Sequence, residues 1–121
     1  MYICGMYSQE LLKGTLQIIV LSLLAEKEKM YGYEITQHVK ERTEGKIQLT
    51  EGALYPTLHK LEAEGLLTTE KVSIGKRVRK YYRLTENGNA QANDRVEEFR
   101  SFSETMNRLL NPILPQMQWS W

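Results

Sequence analysis

One stretch sets the terms for the rest of this chain: Thr50-Glu51-Gly52-Ala53-Leu54-Tyr55-Pro56-Thr57-Leu58-His59-Lys60-Leu61-Glu62-Ala63-Glu64-Gly65. It reads as a helix with both ends marked. Thr50 is the N-cap, because its hydroxyl can accept from a free amide of the first turn. Glu51 follows, where the helix dipole favours an acid. Gly65 suits the left-handed residue just past a helix end. Leu54, Leu58 and Leu61 fall at i, i+4 and i+7 and make one apolar face. The opposite face carries Gly52, Tyr55, Pro56, His59 and Ala63. That face is small, flat and partly aromatic, so another molecule can approach it closely. Pro56 removes one backbone donor and is tolerated because it is still near the first turn.

The flanking segments turn this helix into part of a motif. Before it, Tyr31 to Arg42 forms a second helix, with Tyr31, Ile35 and Val39 at i, i+4 and i+8. Gly32 either lets a neighbouring backbone come close or marks the entry turn. Glu44-Gly45-Lys46 breaks this helix, and Ile47-Gln48-Leu49 leads into the next. Two short helices with a glycine-containing connection form a helix-turn-helix pattern. After it come two β-like runs, Leu66 to Ile74 and Arg77 to Leu84, with Gly75-Lys76 at a tight turn. In the second run Val78, Lys80, Tyr82 and Leu84 face one way, and Arg77, Arg79, Tyr81 and Arg83 the other. A basic-tipped hairpin directly after a helix-turn-helix is a wing. It lies along the minor groove or the backbone while the capped helix enters the major groove of duplex DNA.

Charge supports this reading only locally. The net formal charge is +1, yet six of the 16 bases and none of the 15 acids lie between Lys71 and Arg83. The remainder of the chain is acidic, as expected for a body carrying one phosphate-contacting patch. Cys4 is the single cysteine, which excludes an internal disulfide and a cysteine zinc cage. His38 and His59 have no further ligand at metal-binding spacing, so no metal site and no cofactor are expected. There is no nucleophile–base pair, glycine-rich phosphate loop or paired carboxylate set to suggest an enzyme. The longest apolar-rich run, Leu16 to Ala25, is too short to span a bilayer, and no basic segment precedes an apolar one as in a signal peptide. We therefore expect a cytoplasmic protein with no membrane partner. Met6 is an alternative start, with residues 1–5 a dispensable extension.

The two ends of the chain point to a second copy. Ser8 to Glu26 reads as one helix, with Leu11, Leu12, Thr15, Ile19, Leu23 and Leu24 on a broad apolar face that Ile18, Val20 and Leu21 widen almost to the full circle. Such a helix is buried on more than one side. At the other end Thr85 caps a long helix from Glu86 to about Asn111. Ala92, Val96, Phe99, Ser103, Met106 and Leu110 step by fours and threes along it, flanked by Phe102 and Leu109. A helix beyond the wing has little of its own domain to pack on, so its partner is another copy of the chain. Pro112 and Pro115 end it, and a tail carries Trp119 and Trp121. The expected domains are a winged helix-turn-helix over residues 8–85, a dimerisation helix over 86–111 and a tail over 112–121. The fold class is mainly α with a small β-hairpin.

Taken together, these segments resemble the PadR-like winged-helix transcriptional regulators. The resemblance is carried by Leu12-Lys13-Gly14-Thr15-Leu16, Val20-Leu21-Ser22-Leu23-Leu24, Tyr31-Gly32-Tyr33-Glu34-Ile35, Gly52-Ala53-Leu54-Tyr55-Pro56, Leu58, Leu61-Glu62, Gly65-Leu66, Arg79-Lys80-Tyr81-Tyr82-Arg83-Leu84-Thr85 and Gly88. The short C-terminal region is similar to the small subfamily with a single dimerisation helix. The resemblance implies a homodimer, binding to a double-stranded DNA operator, usually repression, and often release by a small aromatic or amphipathic effector. Ala53 departs from the hydroxyl residue that many members carry. Phe99 aligns with the aromatic that lines a pore between subunits in small drug-binding members.

The candidate DNA-binding residues are then Tyr31, Thr50, Glu51, Gly52, Tyr55, Pro56, His59, Lys60, Lys76, Arg77 and Arg79. Tyr31 either touches a phosphate or packs in the core. Glu51 serves the dipole in preference to reading a cytosine amino group. Lys60 is either a backbone contact or a solvated charge. The candidate effector-binding or dimer-interface residues are Leu12, Ile19, Val96, Phe99, Phe102, Met106 and Leu110. Trp119 and Trp121 either fold back on the dimer or line an effector pocket. The alternative reading is a winged-helix module for protein interaction or ligand sequestration that reads no DNA.

Overall fold

A computed structural model describes residues 7–111 of the chain. The expectations for Cys4, Met6, Pro112, Pro115, Trp119 and Trp121 lie outside the described residues. Within them the order is α1 (Gln9–Lys13), α2 (Leu16–Glu26), β1 (Met30–Tyr31), α3 (Gly32–Arg42), α4 (Glu51–Ala63), β2 (Leu67–Ile74), β3 (Arg77–Leu84) and α5 (Glu86–Leu110). The fold is mostly helical with a small antiparallel sheet ordered β1-β3-β2.

The capped helix forms as its ends dictate. Thr50 Oγ1 accepts from the Ala53 amide at 3.2 Å, and Gly65 adopts φ 81° beyond the helix end. Leu54, Leu58 and Leu61 are each completely buried. Full burial of such side chains contributes roughly 1.5–3 kcal/mol apiece, which fixes the roll of α4 about its axis. They meet Val20, Leu21 and Leu24 of α2, Ile35 and Val39 of α3, and Leu66, Leu67 and Tyr82 in one cluster. Pro56 sits inside α4 without ending it. The Gly52 carbonyl, four residues earlier, thereby loses its helical donor on the exposed face.

Three elements differ from the sequence expectation. The first helix is two, because Gly14 and Thr15 interrupt it and Thr15 donates its hydroxyl proton to the Leu12 carbonyl at 3.1 Å. The interruption turns Leu11 outward, 61% exposed, whereas the expected apolar face included it. The strand β1 has no counterpart in the sequence reading. It is only Met30–Tyr31, paired Met30↔Tyr82 and Tyr31↔Tyr81, and no alternation is visible in so short a run. Finally, α5 packs on its own domain through its first turns. Gly88 and Ala92 are buried, a Cβ on Gly88 would strike the Leu66 carbonyl oxygen, and Arg95 donates to Gln17 Oε1 at 2.8 Å. The expectation that this helix lacks neighbours of its own applies only to its later turns.

Candidate nucleic-acid interface

On α4 the side opposite the leucines is open. Glu51, Gly52, Pro56, His59, Lys60 and Ala63 are exposed. Nothing stands within 4 Å of where a Cβ on Gly52 would be, so the backbone there is bare. Thr50 spends its hydroxyl on the cap, which leaves Glu51 as the acid of the first turn.

Tyr55 is half-buried and differently placed. Its ring lies 6.4 Å from that of His59, and its hydroxyl reaches under Gly32 at the start of α3. Burial, and then the nearby Glu51 carboxylate, push its phenol pKa up. It is a protonated donor at neutral pH.

The wing forms through a full register from Leu67↔Leu84 to Ile74↔Arg77, closed by Gly75 at φ 63°. Lys76 and Arg77 are exposed at its tip. Further in, Arg79 is held: its guanidinium carbon lies 4.1 Å from the centre of the Tyr31 ring. Tyr31 in turn meets Tyr81 edge-on at 5.4 Å, and Lys29 Nζ lies 4.9 Å from the Tyr81 ring centre. A side-chain hydrogen bond to Tyr81, reinforced by Tyr31, raises the Arg79 pKa, so this cation never discharges in the working range. Glu70 accepts from both Lys29 at 3.3 Å and Arg83 at 3.1 Å and ties the base of the wing to the chain before β1. Among the described residues no carboxylate pairs with Lys71, Lys76, Arg77, Arg79 or Lys80. Five cations therefore remain available to an anionic partner.

Between wing and helices lies a cleft of about 560 Å³ whose lining includes Tyr31, Tyr33, Tyr55, Ile74, Arg77, Val78 and Arg79. Tyr33, Ile74 and Val78 were not singled out in the sequence. Tyr33 follows Gly32 directly and the hairpin alternation exposes one apolar side chain on each side of its tip, so the signal was present but weak. A second groove, about 470 Å³, runs between α1 and the start of α4, past Leu12, Leu16, Leu49 and Pro56.

The interface candidates separate by burial. Phe99, Phe102 and Leu110 are exposed on α5, with Val96 and Met106 half-buried beside them. The Phe99 and Phe102 rings are 6.4 Å apart. Ile19 is half-buried, while Leu12 is already covered within its own subunit and offers little to a partner. Among the described residues no His, Cys, Asp or Glu cluster could hold a metal ion, and no helix is long and apolar enough to cross a membrane.

Comparison with known proteins agrees with this architecture. The model of the transcriptional regulator PadR-like family matches residues 20–94. The transcriptional regulator Rv3488 of Mycobacterium tuberculosis is 32% identical over 102 residues, covering 84% of this chain and 89% of that protein. A PadR family transcriptional regulator from Eggerthella lenta superposes with a TM-score of 0.73 at 33% identity, covering 84% and 86% of the two chains. A transcriptional regulator from Clostridium thermocellum superposes with a TM-score of 0.75 at 28% identity, covering 84% and 96%.

Proposed function

The chain belongs to the PadR-like family of transcriptional regulators, and from that premise we propose that it acts as a homodimeric repressor released by a small molecule. It is a DNA-binding regulator and not an enzyme. The observation that most supports a site on this chain is the open face of α4 beside a wing in which Lys71, Lys76, Arg77, Arg79 and Lys80 have no carboxylate partner among the described residues. In this reading Gly52, Pro56 and His59 approach base edges in the major groove, with Tyr55 beside them. Thr50 and Glu51 hold the first turn. Lys60, Lys76, Arg77 and Arg79 neutralise phosphates, which sets affinity and salt dependence and not sequence choice.

A dimer built on α5 places two such faces at one separation. Half-sites on DNA about 34 Å apart accept only that separation. The exposed Phe99–Phe102 pair, with Val96, Met106 and Leu110, supports a contact between copies. An amphipathic aromatic compound wedged at Phe99 would favour another separation, to the extent that it binds the two forms unequally. The domains are then a DNA-binding unit over residues 8–85 and a dimerising helix over 86–111, although the first turns of α5 serve both. We place the regulator in the cytoplasm, where its DNA is.

The test is a gel shift on the DNA upstream of the chain's own gene, with analytical ultracentrifugation of the same sample. A dimer retarding that DNA, and releasing it in an effector screen through a site abolished by Phe99→Ala, is the expected result. A monomer that ignores DNA at low ionic strength would refute the reading.

A further inference from the structure

The start of α5 is pinned to the winged domain. Thr85 donates its hydroxyl proton to the Gly65 carbonyl at 2.7 Å, and Gly88 fits so closely that a Cβ there would strike the Leu66 carbonyl oxygen. One turn on, the buried Ala92 offers only a methyl group. Apolar contact of that kind is non-directional and lets a helix tilt. The next contact on the same face, at i+7 from Gly88, differs in kind. Arg95 Nη1 donates to Gln17 Oε1 at 2.8 Å, across 78 positions of chain, and both side chains are half-buried. A hydrogen bond weakens steeply when bent, so this one resists tilt. Among the described residues no carboxylate pairs with Arg95, and Gln17 is the acceptor that holds it.

The bond sits between two functional parts. Gln17 lies in the first turn of α2, and Val20, Leu21 and Leu24 of that helix share one core cluster with Leu54 and Leu58 of the reading helix α4. On the other side, α5 continues fifteen residues from Arg95 to Leu110, past Val96, Phe99 and Phe102. At 1.5 Å per residue that arm is about 22 Å long, so a tilt of about 10° at Arg95 moves its end by about 4 Å. Successive base pairs lie about 3.4 Å apart. A swing of that size therefore matches a change of about one base pair in half-site spacing. We propose that Arg95, bonded to Gln17, is a positioning residue that limits the swing of α5 and so fixes the distance between the two reading helices of the dimer. This role rests on the reading of a DNA-binding dimer paired through α5, and it is exerted through α2 and the shared core.

The distance can be measured without DNA. Cys4→Ser with Ala63→Cys leaves one thiol per chain, on the exposed end of α4, for a nitroxide label. Double electron–electron resonance on the full-length dimer then reads the separation of the two labels. With Arg95 and Gln17 in place, the distribution should be single and narrow. Arg95→Met keeps the aliphatic stem and removes the donor. It should widen the distribution by about 4 Å, the travel of the freed arm, and Gln17→Met should do the same. Both changes together should widen it no further, because they break one bond. Gln17→Glu keeps an acceptor and should leave the distribution narrow. A width indifferent to Arg95→Met, or additive effects of the two methionine changes, overturns the proposal. The functional arm uses duplexes that the unaltered protein selects from a random-sequence pool, each remade with one base pair added or removed between half-sites, and a duplex with a single half-site. The unaltered dimer should prefer the selected spacing about tenfold, and Arg95→Met no more than about threefold, because the looser dimer no longer has to deform the DNA. Affinity for the single half-site should be equal in the two proteins. A uniform loss on every duplex, the single half-site included, would mark Arg95 as structural only and overturn its positioning role. If the unaltered protein selects no duplex, the DNA reading falls, while the label distances still decide whether Arg95 holds α5. If it sediments as a monomer, both fall together.

Discussion

Gly32 and Tyr55 occupy one another's space. A Cβ added to Gly32 would stand 2.6 Å from Tyr55 Cζ and 3.0 Å from its Cε1, with the hydroxyl nearer still. The absence of a side chain at the first residue of α3 is what lets the tyrosine of α4 pass beneath it. This contact sets the angle between the two helices of the motif. Gly32→Ala should therefore destabilise the protein by about 1–3 kcal/mol, as overpacking does. Combining it with Tyr55→Ala should cost less than the sum of the two changes, since the second opens the space the first needs. Chemical denaturation of the four proteins of that cycle measures the coupling. Simple additivity would mean the ring moves aside freely.

The same tyrosine predicts an alkaline limit. Its folded pKa lies above the ordinary 10.0 of a phenol, chiefly because burial penalises the phenolate. A group with a raised folded pKa contributes stability that is complete below its unfolded pKa and is lost as pH rises through the folded value. Unfolding free energy should fall as pH climbs above about 10, and Tyr55→Phe should flatten that fall. Denaturant midpoints at neutral and alkaline pH, compared between the two proteins, provide the check.

Tyr31 decides between two roles. If it acts through its ring under Arg79, Tyr31→Phe keeps the DNA affinity and Tyr31→Leu weakens it about three- to fivefold, the scale of an exposed cation–π contact. If its hydroxyl met a phosphate, the phenylalanine variant would already be weakened. The 4.1 Å stacking leads us to expect the first pattern, read by anisotropy at low ionic strength.

Changing Lys76, Arg77 and Arg79 together to alanine removes these cations from both subunits of the dimer and should reduce the salt slope of DNA binding by up to about 5, near 0.9 for each phosphate released. Sequence preference should survive at whatever salt still permits binding, because these groups position and do not read. A slope unchanged from that of the parent protein would mean that the wing does not touch DNA.

The dimer assignment is open to a charge placed on α5. Phe102→Glu with Leu109→Glu should leave helix content intact, since both side chains are exposed in the single chain. Sedimentation should then report a monomer where the parent is a dimer, with operator affinity falling alongside. A variant that remained dimeric would move the interface elsewhere.

Much of this architecture is written in short-range signals. Thr50 caps α4, Gly65 ends it, Gly75 turns the wing and Thr85, whose hydroxyl accepts from the Gly88 amide at 2.9 Å, starts α5. Each depends on backbone chemistry within a few residues, so each is visible in the sequence. The split between α1 and α2 was missed because the apolar residues around Gly14 and Thr15 preserve a helical spacing across the break. A residue's burial is harder to read: Leu11 fits that spacing and still points to solvent.

The sequence by itself determined the ends of α4, the turn of the wing and the start of α5, the inward face of Leu54, Leu58 and Leu61, and where the positive charge gathers. Periodicity, capping and composition are local properties, and they suffice for that. Only the tertiary structure decided which groups work together. Pairing of β1 with β3 brings Tyr31 against Tyr81 and under Arg79, and the crossing of α3 and α4 sets Tyr55 beneath Gly32. Those neighbours are separated by 23 to 50 positions of chain. No local pattern encodes such a meeting, because it arises from burying one shared core, and every element answers to that core at once.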